Sequence, residues 1–330
     1  MIFMPARRIN RIRHFLFFCF FLTGLLPGIT PSLHTLYAQS AGVTRLAVIP
    51  ENPQPGEPVT VAIPAAGTEA LQAVLVNSSG RLAKAVFFDV AAAPGETPLR
   101  AALLAVPSTA RPGAAAIRIE GDKGILGELA ITIDARNFIS EEIALDQANT
   151  AIVSQPDPQK TAEAEQLWAI LNRTGTEIYA SGLFVPPVTS TRRTSFFGDR
   201  RVFRYVSGGS STSIHAGVDY GVPKGTPVTA CAAGKVVFAK FRIVTGNSVI
   251  LEHLPGVYSL YYHLDKIEAV PGDMVKTGTL LGLSGSTGLS TGPHLHWEIR
   301  VAGENTDPDA FVARPVLDKA ALLSKINSSL

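Results

Sequence analysis

Five of the seven histidines of this 330-residue chain lie between His215 and Glu298. Four of the five, together with one aspartate, fall in three short pieces at residues 215–219 (HAGVD), 261–264 (YYHL) and 292–297 (GPHLHW). Histidine is the commonest metal ligand, and neutral imidazoles with one carboxylate suit a catalytic zinc that keeps a coordination position open. The chemistry to expect from these residues is that of a metal centre.

The spacing within the pieces favours strands and loops. An extended backbone turns alternate side chains to one face, so His215 and Asp219 can point the same way, as can His294 and His296. A helix would also align positions 215 and 219, but Gly217 and further breakers after position 219 argue against it. The sequence therefore predicts strand ends and loops that fold into one metal site.

These pieces resemble the motifs of the M23 family of zinc endopeptidases (lysostaphin or LytM type), which cleave peptide cross-links in bacterial cell walls. The family pattern is H-x-x-x-D, a later histidine after an aromatic-rich strand, and H-x-H, and all three occur here in order. Residues 194–198 (TSFFG), 225–228 (GTPV) and 285–288 (GSTG) match as well, within a resemblance spanning roughly residues 186–311. One departure is Leu254, where the family usually has glycine.

The resemblance implies a role for each motif residue. His215, Asp219 and His296 would bind Zn²⁺, while His263 and His294 would be catalytic groups beside its open position. Zinc would polarise the peptide carbonyl and activate a water. The two histidines would move protons or stabilise the intermediate, and which does which stays open.

Two other functions compete with peptide hydrolysis. The chain could be a non-catalytic family member that binds cell-wall material or activates a separate hydrolase, although such members typically lack ligands and none is missing here. Two histidines and one carboxylate could also hold the iron of an oxygenase. An iron enzyme would leave His263 and His294 without a task.

Residues near the motifs are open to plainer interpretations. His253, Tyr261 and Cys231 are predicted to be buried core residues. Glu298 continues the face of His296, so it could orient that ligand, but an ordinary exposed strand position is the favoured prediction.

The first forty residues predict a signal peptide. Four arginines precede an apolar run at residues 15–26, shorter than the ~20 residues of a membrane span, and small residues follow at Ala38 and Ser40.

Removing this segment lowers the number of basic residues from 29 to 25, against 27 acidic ones, and this charge balance disfavours nucleic-acid binding. Only one cysteine would remain, so no intramolecular disulfide could form. The sequence predicts export to the periplasm or cell envelope, with membrane contact only through the transient signal. The resemblance to M23 endopeptidases implies peptidoglycan peptide stems as the partner.

The rest of the chain predicts a mainly β protein. We expect an immunoglobulin-like β-sandwich at residues 41–137, with strands near 59–63, 73–76, 84–90, 115–119 and 129–133. A linker with a helix would span residues 138–185. An antiparallel β-sheet domain of the M23 type would follow at 186–315, with strands near 228–230, 235–239, 248–253, 258–264, 279–283 and 294–301, and then a weakly helical tail at 316–330.

The linker helix has the clearest local signals. Residues 159–172 show apolar side chains at helical spacing, Asp157 is a suitable N-cap, and Pro158 suits the first helical position. Trp168 is expected to pack this helix onto a neighbouring domain, because a fully exposed tryptophan would forgo roughly 1.5–3 kcal/mol of burial. Docked near the metal site, the upstream half would restrict access to the groove.

Overall fold

The structure, a computed structural model, describes residues 45–65 and 69–328. The predicted signal peptide lies outside the described residues. Among the residues that are described, no helix is both long enough and apolar enough to cross a membrane. Strands dominate the described chain, and this confirms the predicted mainly β class.

The N-terminal part is a sandwich of antiparallel strands. Its strands are β1 (Ala47–Ile49), β2 (Pro58–Pro64), β3 (Gln72–Asn77), β4 (Gly80–Val86), β5 (Phe88–Val90), β6 (Leu99–Ala105), β7 (Gly113–Gly121) and β8 (Gly124–Ile133). One sheet has the order β1-β2-β6-β5 and the other the order β4-β3-β7-β8. These orders correspond to the A-B-E-D and C′-C-F-G sheets of an immunoglobulin-type sandwich, which confirms the predicted fold.

Strand β6 was missed in the sequence because it is buried on both faces. Leu104 packs into the core between the two sheets, whereas Ala101 and Leu103 pack into the core of the C-terminal half. A strand covered on both sides reads as a continuous apolar run, so the alternation that reveals a half-buried strand is absent. The strand predicted at 84–90 is in fact two strands, β4 and β5, which belong to different sheets.

The segment predicted as a helical linker contains β9 (Ser140–Ala144), α1 (Gln147–Ser154) and α2 (Pro158–Leu171). The prediction of α2 is confirmed, and the Asp157 carboxylate accepts the backbone N–H of Gln159 at 2.7 Å. Strand β9 and helix α1 were not predicted. Strand β9 depends on its parallel pairing with residues 200–204, which are distant in sequence. Helix α1 does have a local signal, because the Asp146 carboxylate at its N-cap accepts the backbone N–H of Asn149 at 2.7 Å.

The expectation for Trp168 is wrong. Helix α2 docks through Ile170 and Leu171, which pack against Phe238 and the neighbouring aromatic residues of the C-terminal half. Trp168 lies to one side of that stripe and is 50% exposed, with the Arg300 guanidinium 5.9 Å from its ring centre. The apolar stripe of α2 therefore stabilises the docked helix without its largest side chain.

The C-terminal half is built on a large antiparallel sheet. The strands of this half are β10 (Arg193–Ser195), β11 (Arg200–Arg204), β12 (Ser210–Ile214), β13 (Val218–Tyr220), β14 (Pro227–Thr229), β15 (Gly234–Arg242), β16 (Gly246–Leu254), β17 (Val257–Ile267), β18 (Met274–Val275), β19 (Leu280–Ser284), β20 (Leu295–Val301) and β21 (Glu304–Thr306), of which all but β11 and β12 belong to the large sheet. The main path of the sheet runs β10-β13-β20-β17-β16-β15-β18. All six strands predicted for this half are present with small shifts of their ends.

Two smaller features complete the half that holds the histidines. Strands β12, β11 and β9 form a separate three-stranded sheet in which β9 pairs in parallel with β11. Helices α3 (Pro308–Ala313) and α4 (Lys319–Ser328) end the described chain, and α4 agrees with the helical tail predicted there. The predicted domain limits stay a prediction.

Candidate metal centre

Three predicted ligands meet at the end of the large sheet. His215 follows β12, Asp219 lies in the middle of β13, and His296 is the residue opposite Asp219 on β20. His215 Nε2 lies 3.1 Å from Asp219 Oδ1 and 3.0 Å from His296 Nδ1, and the last two atoms are 2.8 Å apart. Three buried ligand atoms therefore converge on one point.

A glycine permits this close approach. A Cβ atom at Gly217 would lie only 2.2 Å from the carbonyl oxygen of Trp297 on β20. Only glycine lets the chain enter β13 so near to β20. His215 lies two residues before Gly217 and Asp219 two residues after it, so this close approach places both side chains beside β20.

The second nitrogen of each ligand histidine is held by another group. His215 Nδ1 donates to the carbonyl oxygen of Phe196 at 2.8 Å, which leaves Nε2 with a lone pair. His296 Nε2 lies 3.5 Å from Glu298 Oε2, which directs Nδ1 towards the other two ligand atoms. Such partners fix the tautomer and the orientation of metal-binding imidazoles.

Glu298 is therefore not the exposed strand residue that the sequence favoured. It is 2% exposed, because β20 lies between β13 and β17 and because the Arg300 guanidinium binds its carboxylate. A buried carboxylate needs such a cation or hydrogen-bond donors to remain charged.

The electrostatics of the cluster suit a cation. Burial raises the pKa of Asp219, but hydrogen bonds and charge interactions with His215 and His296 outweigh it and hold the pKa well below its usual range. Burial lowers the pKa of His296, yet Asp219 and Glu298 reverse this and raise it to about 9. Burial lowers the pKa of His215. The Asp219 carboxylate is thus ionised. A metal ion that binds His296 must displace a proton from the His296 imidazole.

The donor set fits zinc. Bonds of about 2.0–2.2 Å in a tetrahedron separate ligand atoms by roughly 3.3 Å, slightly more than the separations of 2.8–3.1 Å seen here. Two imidazoles and one carboxylate leave one tetrahedral position for water or substrate. That position would face a cavity of about 250 Å³, which all three residues line.

His263 and His294 lie on the wall of the same cavity, with ring centres 4.7 Å apart. His263 Nδ1 donates to the carbonyl oxygen of Thr287 at 2.7 Å, and His294 Nδ1 donates to that of Gly292 at 2.8 Å. Burial, reinforced by the neighbouring histidines, lowers the pKa of His263 to about 3. Its backbone has a φ of 61°, a left-handed conformation rare for a residue with a side chain, and such strain clusters at functional sites. In these tautomers, each ring keeps Nε2 as a proton acceptor.

Sequence reasoning missed the polar residues that support this centre from upstream. Arg201 Nη2 donates to Asp219 Oδ2 at 2.9 Å, and Glu141 of β9 accepts from Arg201 Nε at 2.7 Å. On the cavity rim, the Asn149 carboxamide of α1 pairs with both backbone groups of Ser290, at 3.0 and 3.2 Å. Arg201 stands close to the TSFFG motif, which is a weak signal. No local pattern marks Glu141 or Asn149, because their role depends on long-range pairing.

The sequence of this region matches known proteins. Residues 213–308 match the family model of Peptidase family M23. The DD-carboxypeptidase/endopeptidase Mpg of Neisseria meningitidis is 38% identical over 149 residues, which are 44% of this chain and 33% of Mpg. The chain belongs to peptidase family M23. This confirms the family predicted from the histidine motifs.

Two further comparisons bear on the M23 assignment. The peptidoglycan DD-endopeptidase ShyA of Vibrio cholerae is 39% identical over 117 residues, 36% of this chain and 27% of ShyA. The aligned part thus spans about a third of the length of these curated relatives. A candidate peptidase M23 from Pseudomonas aeruginosa has a similar structure, with a TM-score of 0.55 over 79% of this chain and 94% of that one, at 24% identity. At that identity the likeness shows the fold alone.

Proposed function

We propose that this M23 member is an exported zinc metalloendopeptidase that hydrolyses peptide cross-links of bacterial peptidoglycan. One observation carries the proposal: three buried ligand atoms converge at a cavity whose wall holds two further histidines. The relative ShyA is named a peptidoglycan DD-endopeptidase, which supports the substrate class. The predicted signal peptide and the family's cell-wall substrates support the cell envelope as the location.

The proposed ligands are His215, Asp219 and His296, and the proposed catalytic groups are His263 and His294. Zinc bound there would act as a Lewis acid that polarises the peptide carbonyl and lowers the pKa of a water molecule. His263 and His294 line the cavity, and because their Nδ1 atoms donate to backbone carbonyls, Nε2 of each ring is the nitrogen left for the reaction. One of them accepts the proton of the attacking water, and the departing peptide nitrogen takes up a proton.

The supporting residues hold the side chains of this arrangement in fixed orientations. The Phe196 carbonyl and the Glu298 carboxylate hold the outer nitrogens of His215 and His296. Tyr262 stacks on the His296 ring, with centres 5.4 Å apart and planes within 6°. The ligands therefore need little reorganisation on metal binding, which favours affinity.

The proposal is tested on natural substrate. Protein lacking residues 1–40 would be incubated with sacculi of defined composition, and mass spectrometry would identify new amino and carboxyl termini. We expect new termini within the cross-linking peptides, and none with the His296→Ala variant. Binding to sacculi without new termini would favour the non-catalytic alternative instead.

Metal analysis distinguishes the proposed zinc peptidase from an iron oxygenase. We expect about one zinc per chain in metal-replete protein. Stoichiometric iron with little zinc would favour the oxygenase and contradict the proposal.

A further inference from the structure

Asp219 has one oxygen directed towards the ligand histidines and one held by a cation. Its Oδ1 faces His215 and His296, while its Oδ2 accepts from Arg201 Nη2 at 2.9 Å. The Asp219 and Arg201 side chains are both largely buried. The guanidinium therefore determines which carboxylate oxygen is available to a metal ion.

Arg201 in turn is oriented by the upstream strand β9. Glu141 is the parallel-strand partner of Arg201 on β11, and its Oε1 accepts from Arg201 Nε at 2.7 Å. Ser195 Oγ also accepts a hydrogen bond from Arg201 Nη2 at 2.6 Å. The guanidinium thus bridges two carboxylates, one upstream of the predicted catalytic region and one inside the metal centre.

The same two strands carry a second glutamate–arginine pair, which lies outside the proposed metal centre. Glu142 binds Arg204 on the outside of the sheet, where the Glu142 side chain is 63% exposed. Exposed pairs of this kind contribute little to stability, about 0–1 kcal/mol. Glu142 is therefore a matched control for Glu141, since it has the same residue type, the same strand and the same kind of partner.

We propose that Glu141, acting through Arg201, is a positioning residue for the metal ligand Asp219. This inference rests on the metal centre proposed above. It assigns a role in the metal centre to a residue that lies outside the region matched by the family model.

Two effects of Glu141 favour metal binding. Its negative charge offsets the positive charge of Arg201. Without that offset, Arg201 would repel a divalent cation bound to the other oxygen of the Asp219 carboxylate. Its hydrogen bond also fixes the guanidinium plane, and this plane holds Asp219 Oδ2 so that Oδ1 faces the histidines. Changes to such outer partners typically reduce metal affinity about 10–100-fold.

The test measures zinc affinity of the metal-free protein lacking residues 1–40, by competition with a chromophoric chelator. We expect Glu141→Gln to weaken zinc binding by about 10-fold or more, and Glu142→Gln to change it less than about twofold. In an Arg201→Met background, Glu141→Gln should have an effect of less than about threefold, because the partner through which it acts is gone. Melting curves of the metal-free variants show whether β9 is still folded. If Glu141→Gln does not fold, Glu141→Asp, which keeps the charge on a shorter side chain, replaces it, with an expected weakening of severalfold.

Two outcomes would overturn the inference. Equal zinc affinities of Glu141→Gln and Glu142→Gln, or an undiminished loss in the Arg201→Met background, would show that Glu141 does not act on Asp219. Failure of the unmodified protein to bind zinc is a different result, because it would remove the proposed metal centre itself.

Discussion

The large sheet contains two histidine clusters that differ in what they can do. The proposed metal centre lies at one end and borders a cavity, with Asp219 and Glu298 in contact with its histidines. The second cluster surrounds His253, which is fully buried with Cys231 and Tyr261 close by. Among the described residues, no carboxylate contacts His253.

One shared feature makes the comparison informative. His215 and His253 both donate Nδ1–H to a backbone carbonyl, at 2.8 and 2.7 Å. Nε2 of His253 accepts from the Ser259 hydroxyl at 2.7 Å, whereas Nε2 of His215 faces a carboxylate and another imidazole. The group opposite the free nitrogen, and access to a cavity, thus distinguish the proposed metal ligand from the core histidine.

The pKa values express the same contrast. Burial lowers the pKa of His253 to about 4, so this ring is neutral at physiological pH. His296 is also buried, yet its two carboxylate neighbours raise its pKa to about 9. Burial alone therefore makes a neutral structural residue, and burial beside carboxylates makes a cation site.

The largest effect should follow removal of a ligand. His296→Ala takes away one of three ligand atoms and leaves Asp219 with one fewer partner, so we expect loss of stoichiometric zinc and loss of hydrolysis below detection. Zinc content by mass spectrometry and release of cross-link peptides from sacculi measure both. Retention of one zinc per chain would contradict the ligand assignment.

A smaller effect should follow removal of the wall histidines. His263→Ala or His294→Ala should keep most of the zinc and lower turnover by ~10²–10⁴-fold, because general acid–base groups contribute about that much. Rates would be compared at equal zinc occupancy. If His294→Ala released zinc as readily as His296→Ala, the division of the H-x-H motif would be wrong.

Glu298→Gln should have an intermediate effect on the metal alone. The substitution removes the carboxylate charge beside His296 Nε2 and leaves the buried Arg300 without its ionic partner, so zinc affinity should fall roughly 10-fold. Chelator competition measures the affinity. An unchanged affinity together with a lower melting temperature would assign Glu298 to stability instead.

The smallest effect on the reaction is expected from substitution in the buried cluster around His253. His253→Gln should leave zinc content and turnover within about twofold, because His253 does not line the cavity. Its effect belongs to the pH dependence of stability. The pKa of His253 is about 4 in the folded state and near 6.5 in the unfolded state. Between these pH values the unfolded state binds more protons, so the stability of the folded state falls as the pH drops through this window.

The expected contribution is about 3 kcal/mol, lost progressively from about pH 6.5 to pH 4. His253→Gln should flatten this part of the profile, whatever constant loss of stability the substitution also brings. Urea unfolding at a series of pH values measures the slope. An identical slope in both proteins would show that other groups cause the acid sensitivity.

Much of the fold and of the candidate site could be predicted from the sequence. The resemblance to the M23 motifs predicted that His215, Asp219 and His296 would form one site, and their side chains do lie together. Capping residues predicted helix α2 within one residue at each end. Short runs of β-forming residues predicted many strands of the sandwich and of the large sheet.

The sequence by itself therefore determined the features that depend on neighbours in the chain. These are the alternation of side chains along strands, the helix caps and the order of the proposed ligands. Only the tertiary structure determined the burial of Glu298, the exposure of Trp168 and the contact of Glu141 with Arg201. The physical reason is that burial and ion pairing depend on which surfaces meet across long stretches of chain. Glu141 and Arg201 are 60 residues apart in sequence, and only the parallel pairing of β9 with β11 brings them together.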